Sequence, residues 1–433
     1  MKTKVLTFIM IISVSATTLG QTENKLSNNE KIFGLSLLWK EASYNFAFFH
    51  QVPSLNWDSC YMSSIPKVLE TSNDWDYYLE LQKFMSILQD GHTRIFTPVQ
   101  LRNKYFGTTN KQITTKLIED KIIITRVLDN SLCNKGLKQG MEIVSINEMN
   151  PFAYAEKYVA PYVYASTPQD RQLQIFNLFL LSGSTAEPIS IEIKNFDGKL
   201  LTYKINREPW IMEEEMLSGN PLEFKIIANN IGYLKINNFV ESDNIRTNFD
   251  SIYEKILLTD GLIIDVRENV GGATDISLYI LKHFTVKPFK TGKWRSPKNI
   301  AAHRSWGSNI EWFESDEYEV EPFYNKIIYT KPIGLLADES TFSCAEDFCV
   351  GFLTINRGKM VGAKTAGSSG NPLVFKLPGD GVALVCSKQD FFPDGREFVG
   401  FGIIPDIEVK PTIKDIIQNN DPVLEVAVKA ILK

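Results

Sequence analysis

A serine hydroxyl at the predicted start of a helix is the side chain in this sequence best suited to act as a nucleophile. The serine is Ser343, which follows the apolar, strand-like run 333–337 and precedes a periodic apolar segment that predicts a helix over 344–353. Unpaired N–H groups and the positive end of the helix dipole stabilise an anion there by about 0.3–1 kcal/mol. Serine is also a favoured N-cap residue, so its position alone assigns no role.

A serine nucleophile needs a base within hydrogen-bond reach, and the sequence has four histidines, His50, His92, His283 and His303. His92 is the best candidate because it follows Gly91 in a predicted turn, from which its ring can project into a cleft. His283 lies on an amphipathic helical pattern and His50 lies among aromatic residues, which indicates packing roles. His303 is the reserve candidate.

Two adjacent glycines, Gly271 and Gly272, follow the buried apolar strand predicted at 261–266. Glycine permits positive φ and close backbone approach, which suits N–H groups that face an anion. The N–H of Gly271 or Gly272, together with that of Cys344, would form an oxyanion hole in which each donor contributes about 3 kcal/mol in the transition state. The Cys344 thiol begins the inward face of the helix, where cysteine typically packs as a small hydrophobe. We therefore prefer Ser343 to Cys344 as the nucleophile.

The composition indicates how many domains to expect and which partners and cofactors are not expected. The 433 residues are 44% hydrophobic and 22% charged, with 46 basic against 51 acidic side chains and a net charge of −5. A chain of this length exceeds one typical core, so two or three domains are expected. Because no basic block occurs, nucleic acid is not expected as a partner. The sequence has no ligand cluster with zinc-like spacing, and its five cysteines form no paired spacing, so neither a metal or organic cofactor nor a disulfide framework is predicted.

The N-terminus has the three regions of a secretory signal peptide, predicted at residues 1–20. Its apolar run is too short for a permanent membrane helix, and no later stretch reaches about 18 apolar residues, so stable membrane insertion is not expected. We expect an exported protein, periplasmic or secreted. The sequence leaves the oligomeric state open.

The predicted secondary structure changes twice along the remaining chain. Residues 21–98 have a helical, aromatic-rich pattern that predicts an N-terminal helical cap, and residues 105–207 carry short strands and turns. Residues 209–433 alternate strand and helix, which predicts a layered α/β domain.

The run 136–147 resembles a PDZ domain of the bacterial protease type, with Met141 where an aspartate is common. The resemblance implies a β-rich domain at 105–207 that binds extended peptide segments as an added strand. An unrelated β-rich insert is the alternative.

Four motifs, at 265–272, 343–346, 361–367 and 400–406, occur in the order seen in the family of C-terminal processing peptidases and the tricorn core protease, and the chain resembles that family over nearly all of its mature length. The resemblance implies a ClpP/crotonase-like α/β catalytic domain with a PDZ-like insert. It also implies a serine endopeptidase that recognises polypeptide substrates through C-terminal or unfolded segments and needs no cofactor.

The family divides by its catalytic base. Processing peptidases use a lysine at the position that Ser368 occupies here, whereas the tricorn-like branch uses a histidine before the PDZ-like insert, which implies His92. The serine beside the tricorn histidine is replaced by Gly91, and Val399 stands where related sequences often have a glutamate. Glu397 or Asp90 is then the candidate to orient the imidazole.

Two other functions remain open at this point. Interphotoreceptor retinoid-binding protein has related modules and binds apolar ligands, and the aromatic cap is compatible with that role. A peptide-docking scaffold with an inactive site is the other alternative. The joint presence of Ser343, His92 and both glycines favours the enzyme.

Overall fold

The computed structural model describes residues 25–209, 220–240, 244–316 and 318–432, so the signal peptide predicted at 1–20 lies outside the described residues. In chain order, the described helices are α1 (Asn28–Asn45), α2 (Trp57–Glu70), α3 (Asp74–Ser86), α4 (Val99–Tyr105), α5 (Asn130–Asn134), α6 (Pro151–Tyr158), α7 (Pro168–Leu173), α8 (Ile245–Ile256), α9 (Thr274–Leu281), α10 (Ala301–Ser305), α11 (Cys344–Ile355), α12 (Ile413–Gln418) and α13 (Pro422–Ile431). A π-helical turn, Gln174–Phe179, continues α7.

The strands fall into one six-stranded sheet, one five-stranded sheet and several small ones. In chain order, they are β1 (Arg94–Phe96), β2 (Gly107–Thr108), β3 (Ile113–Ile118), β4 (Lys121–Val127), β5 (Glu142–Ile146), β6 (Ile189–Lys194), β7 (Leu200–Ile205), β8 (Glu208–Pro209), β9 (Leu222–Ile227), β10 (Ile231–Ile236), β11 (Gly261–Asp265), β12 (Phe289–Lys290), β13 (Lys293–Lys298), β14 (Glu311–Glu314), β15 (Glu319–Val320), β16 (Ile333–Ala337), β17 (Gly358–Gly362), β18 (Leu373–Lys376), β19 (Val382–Val385), β20 (Gln389–Phe391) and β21 (Ile407–Glu408).

The six-stranded sheet has the order β21-β17-β16-β11-β10-β9 and is parallel except for β9. Its inner strands are apolar on both faces, as expected when helices cover both sides of a parallel sheet. On β11, Leu262 and Ile264 join the core that contains α8, α9 and α11, whereas Ile263 faces α13. This layering confirms the predicted α/β class.

The N-terminal helices share the main core of the α/β body. Leu35, Tyr77 and Phe84 of α1 and α3 belong to the same buried cluster as Leu335 of β16 and Phe348 of α11. The Tyr78 hydroxyl donates to the carbonyl oxygen of Pro378 at 2.6 Å. The helices predicted as a cap are thus packed as part of the body.

The five-stranded sheet, β3-β4-β5-β6-β7, is antiparallel and encloses its own core, which includes Ile122, Ile143 and Ile191. Short strands β2 and β8 pair where the chain enters and leaves this unit. The unit therefore has the form of an insertion between α4 and β9, and its PDZ-like character stays a prediction.

None of the described helices is long and apolar enough to cross a membrane. Cys60, Cys133, Cys344, Cys349 and Cys386 are free thiols. Over the same described ranges, no group of three or more histidine, cysteine, aspartate or glutamate side chains is arranged to hold a metal ion.

Candidate active site

Ser343 lies at the carboxyl end of β16, where a short turn leads into α11. Its backbone has φ 58° and ψ −127°, an unusual conformation for a residue other than glycine. The turn is held by the Thr341 hydroxyl, which donates to the carbonyl oxygen of Val266 at 3.0 Å, and by the Phe342 N–H, which donates to that of Asn269 at 3.0 Å. The sharp turn leaves the serine partly exposed at the edge of the sheet.

His92 lies between α3 and β1 and reaches Ser343 across 251 positions of sequence. Its Nε2 atom is 3.0 Å from the Ser343 Oγ atom. The ring stacks on Phe342, with centroids 4.5 Å apart and planes 12° apart. Because β1 pairs with β19 and the Thr93 hydroxyl accepts the Cys386 N–H at 3.0 Å, the turn that carries His92 is fixed to the α/β body.

The other ring nitrogen of His92 contacts Ser368. The Nδ1 atom lies 2.9 Å from the Ser368 Oγ atom, and Ser368 is fully buried. The carbonyl oxygen of Ser368 also accepts the N–H of Ser343 at 2.9 Å. One residue therefore contacts both members of the Ser343–His92 pair.

Glu346, on the first turn of α11, fixes the segment that carries Ser368. Its carboxylate accepts the N–H groups of Gly367 and Ser368, each at 2.8 Å, and the Thr365 hydroxyl at 2.5 Å. Burial raises the pKa of Glu346 to about 8, although these donors favour its ionised form. The carboxylate thus acts on the backbone of the segment and does not touch the imidazole.

The glycine pair lies between the ends of β10 and β16. A Cβ atom on Gly271 would lie 2.8 Å from the Ser343 Cβ atom and 2.9 Å from the Cys344 nitrogen, so the loop and the nucleophile turn are in close contact. The N–H of Gly271 donates to the Asn269 Oδ1 atom at 2.8 Å. The expected use of the Gly271 N–H as an oxyanion donor is therefore corrected, because that N–H already has an acceptor.

The N–H of Gly272 is oriented differently. The Gly271 carbonyl accepts the N–H of Phe239, beyond the end of β10, at 2.9 Å. In a trans peptide the following N–H points the opposite way, so the Gly272 N–H points away from β10, toward the β16 side where Ser343 lies. Within the described chain, neither the Gly272 N–H nor the Cys344 N–H is paired with a protein acceptor. These two donors fit an oxyanion beside Ser343.

The surroundings of His92 favour the neutral imidazole. The residue is 8% exposed. Burial lowers the pKa of His92 to about 3, with additional contributions from the positive charges of Arg94 and Lys388. The Arg94 guanidinium donates to the carbonyl oxygen of Gly91 at 2.6 Å, which holds this cation near the ring. A neutral imidazole is the form that can accept a proton from a serine.

The structure contradicts Glu397 as the orienting group. Glu397 is exposed and forms an isolated antiparallel bridge with Phe391 in a hairpin, so its carboxylate faces solvent. Asp90 is buried, and its Oδ1 atom accepts the Ser166 hydroxyl at 3.2 Å. The Nδ1 atom of His92 instead pairs with Ser368.

The other candidate groups lie elsewhere. The Cys344 side chain is buried in the core and burial raises the pKa of its thiol, so the thiol does not compete with Ser343. His50 lies 3.3 Å from the Gln389 amide nitrogen, and His303 lies 3.1 Å from a Glu311 oxygen. His283 is buried in an aromatic cluster.

Sequence reasoning missed the roles of Ser368, Glu346 and Asn269. Asn269 donates from its amide to the carbonyl oxygen of Ile236 at 2.9 Å and accepts the Gly271 N–H, so it shapes the glycine loop. The signal that could have identified Glu346 is an acidic residue three positions into a helix, directly after the nucleophile turn. The position of Ser368 had a signal, because the resemblance places the lysine of processing peptidases there, but the contact with His92 is visible only in the fold.

A comparison with known proteins gives a family match for part of the chain. Residues 230–409, which hold the six-stranded sheet from β10 to β21 and both the glycine pair and Ser343, match the model of Peptidase family S41.

Solved structures share the fold over nearly the whole chain. Mature CPAF complexed with lactacystin is 14% identical, with 93% of this chain and 97% of that chain covered and a TM-score of 0.71. Mature CPAF is 15% identical, with 93% of this chain and 96% of that chain covered and a TM-score of 0.69. At these identities the likeness shows a common fold, and it extends beyond the family match to include the N-terminal helices and the five-stranded sheet.

Proposed function

We propose that this chain, whose residues 230–409 match the model of Peptidase family S41, is an exported serine endopeptidase that hydrolyses peptide bonds of protein substrates through Ser343 and His92. The observation that carries the proposal is the 3.0 Å contact between His92 Nε2 and Ser343 Oγ, beside a glycine loop in which the Gly272 N–H has no acceptor among the described residues. Export rests on the signal-peptide pattern at residues 1–20.

The reaction begins when the Ser343 Oγ atom attacks the substrate carbonyl carbon and His92 Nε2 accepts the hydroxyl proton. The carbonyl oxygen becomes an oxyanion, which the N–H groups of Gly272 and Cys344 bind. Collapse of this intermediate breaks the C–N bond, and His92 returns its proton to the leaving amine. Water then attacks the acyl-enzyme with His92 again as base, which releases the acid product and restores Ser343.

The inserted sheet supports binding of an extended substrate segment. β3 is an edge strand with β4 as its single neighbour in the sheet, and edge strands can pair with an added peptide. A cavity of about 640 Å³ lies between β3, α7 and the α/β body. Its lining includes Lys116, Leu173, Glu339 and Lys364. We propose a PDZ-like unit inserted in a ClpP/crotonase-like peptidase, with this cavity as the docking groove.

The first test is reaction of the mature protein with a fluorophosphonate probe and with casein. The parent protein is expected to be labelled and to cleave casein, and Ser343→Ala should lose both activities. His92→Ala should lose at least about 10²-fold in rate, because general-base catalysis contributes that much or more. His303→Ala is the matched control, since His303 pairs with Glu311 away from Ser343.

Undiminished casein cleavage by His92→Ala would remove this histidine from the mechanism. Absence of labelling in the parent, combined with binding of an apolar ligand such as retinol or of a casein peptide, would replace the peptidase by a binding protein on the same fold.

A further inference from the structure

We propose that Ser368 is the positioning residue for His92, in the place that a carboxylate has in a Ser-His-Asp triad. The proposal rests on the proposed peptidase function and deepens it. Ser368 stands outside the chain segments that hold Ser343 and His92, and its hydroxyl is 2.9 Å from His92 Nδ1.

The contact is compatible with the tautomer of the ring that the proposed mechanism needs. His92 Nε2 can accept the Ser343 hydroxyl proton only when its lone pair is free, so the ring proton must reside on Nδ1. In that state Nδ1–H donates to the Ser368 Oγ atom, and Nε2 faces Ser343 Oγ at 3.0 Å. The hydroxyl of Ser368 can therefore accept from Nδ1–H and hold the ring with Nε2 directed at Ser343.

Ser368 also sets the separation of the two reacting groups. Its carbonyl oxygen accepts the Ser343 N–H at 2.9 Å, while its own N–H donates to Glu346 at 2.8 Å. The side chain and backbone of one fully buried residue thus contact the base, the nucleophile and a buried carboxylate. A displacement of Ser368 would change the Ser343–His92 distance directly.

Gly91 provides the space for this hydroxyl. A Cβ atom on Gly91 would lie 2.7 Å from the Ser368 Oγ atom, closer than real contacts allow. A side chain at position 91 and the hydroxyl at 368 therefore compete for one volume beside the imidazole. The glycine before the histidine and the serine in the distant loop form a matched pair.

A neutral hydroxyl orients the ring but supplies no negative charge to the imidazolium. Consistent with this, the pKa of His92 is lowered by burial, Arg94 and Lys388, and no carboxylate acts in the opposite direction. We therefore expect loss of the hydroxyl to reduce kcat about 10- to 100-fold, less than the ~10⁴-fold effect of losing the aspartate of a triad.

The test compares Ser368→Ala, Ser368→Thr and Ser369→Ala by kcat, KM and thermal unfolding. Ser369 is the matched control, because it is equally buried and its hydroxyl lies 3.1 Å from the Asp347 Oδ1 atom. Ser368→Ala should lower kcat with KM nearly unchanged, and Ser369→Ala should retain kcat within about 3-fold of the parent, well above Ser368→Ala. Ser368→Thr keeps the hydroxyl but adds a methyl group in a buried site, so it separates positioning from packing.

If Ser368 positions His92, the threonine variant retains more activity than the alanine variant even when it is less stable. Equal activity of Ser368→Ala and the parent, or a larger loss in the threonine variant at temperatures where both are folded, would overturn the proposal. Fluorophosphonate labelling of the parent separates this outcome from failure of the proposed function, because an unlabelled parent would reject the peptidase itself.

Discussion

At the scale of single residues, the proposed mechanism makes the pH range of activity depend on the charge state of His92. The base must be neutral, and burial, Arg94 and Lys388 lower the pKa of His92 to about 3. The acid limb of kcat/KM should therefore lie well below pH 6.5, the ordinary value for histidine, and activity should persist at pH 5. The profile is measured by initial rates, with circular dichroism at each pH to verify that the protein is folded.

The Lys388→Met variant tests whether the positive charge of Lys388 helps to lower the pKa of His92. Removal of this cation stabilises the imidazolium, so the pKa of His92 should rise and the acid limb should move to higher pH. Lys429→Met, at an exposed lysine near Glu425 of α13, is the control and should leave the limb in place. An acid limb near pH 6.5 in the parent would contradict the effect of burial on His92.

The residue scale also shows what the sequence could predict. Local turn and helix-start signals made Ser343 and His92 candidates, and the resemblance to a peptidase family favoured them over the other serines and histidines. The structure places their side chains 3.0 Å apart. Glu397 was the wrong orienting group, because a sequence does not show that its hairpin carries the carboxylate to solvent. Ser368 was noted only as the residue at the lysine position of processing peptidases, and its contact with His92 was found only through the fold, since the two residues are 276 positions apart.

At the scale of elements, the glycine loop after β11 must approach the nucleophile turn. Gly271 has φ +101°, and a Cβ atom there would lie 2.8 Å from the Ser343 Cβ atom. Gly271→Ala should displace the turn or the donors and lower kcat/KM by about 10²-fold, the order expected when one oxyanion donor is lost. Gly395→Ala is the matched control, because Gly395 has φ +87° with no atom within 4 Å of an added Cβ.

Both substitutions place alanine at a positive φ. The resulting backbone strain should therefore lower the thermal stability of the two variants by similar amounts. A similar loss of kcat/KM in both variants would show that the effect is general backbone strain and not proximity to Ser343.

The alternation of strands and helices from β10 to β17 followed from the sequence, because buried parallel strands and amphipathic helices have distinct apolar patterns. The placement of α1 to α3 did not. Tyr77 is fully buried against α1, where its hydroxyl donates to the carbonyl oxygen of Lys31 at 3.3 Å, whereas Tyr78 reaches across to Pro378. Both belong to the buried cluster that includes the α/β body, so the predicted cap forms part of a larger core.

At the scale of the whole molecule, an ion pair joins the inserted sheet to the loop that precedes the nucleophile. Lys116 of β3 lies 2.6 Å from a Glu339 oxygen. Burial opposes ionisation of Glu339, but Lys116 outweighs it and lowers the pKa of that carboxyl. Burial and then Glu339 raise the pKa of the adjacent Asp338 to about 6. The Lys116–Glu339 ion pair therefore offsets the repulsion between the carboxylates of Asp338 and Glu339. Glu339 lies four positions before Ser343.

Lys116→Met should leave Glu339 unpaired beside Asp338 and reduce the free energy of unfolding by about 1–3 kcal/mol, since both partners are only partly buried. The Lys116→Met, Glu339→Gln double variant should recover part of this loss. The double-mutant cycle then gives the interaction free energy between Lys116 and Glu339. Thermal unfolding measures stability and casein cleavage measures activity. Additive effects in the cycle would show that the two residues do not interact.

The backbone of Ser343 has a consequence for the evolution of the protein. A non-glycine residue at φ 58° and ψ −127° costs on the order of 1–3 kcal/mol, which is a large share of the 5–15 kcal/mol that keeps a typical domain folded. Glycine would adopt this conformation at little cost but has no hydroxyl. Conformational stability and the proposed chemistry therefore favour different amino acids at this one position, and this chain has the residue that supplies a hydroxyl.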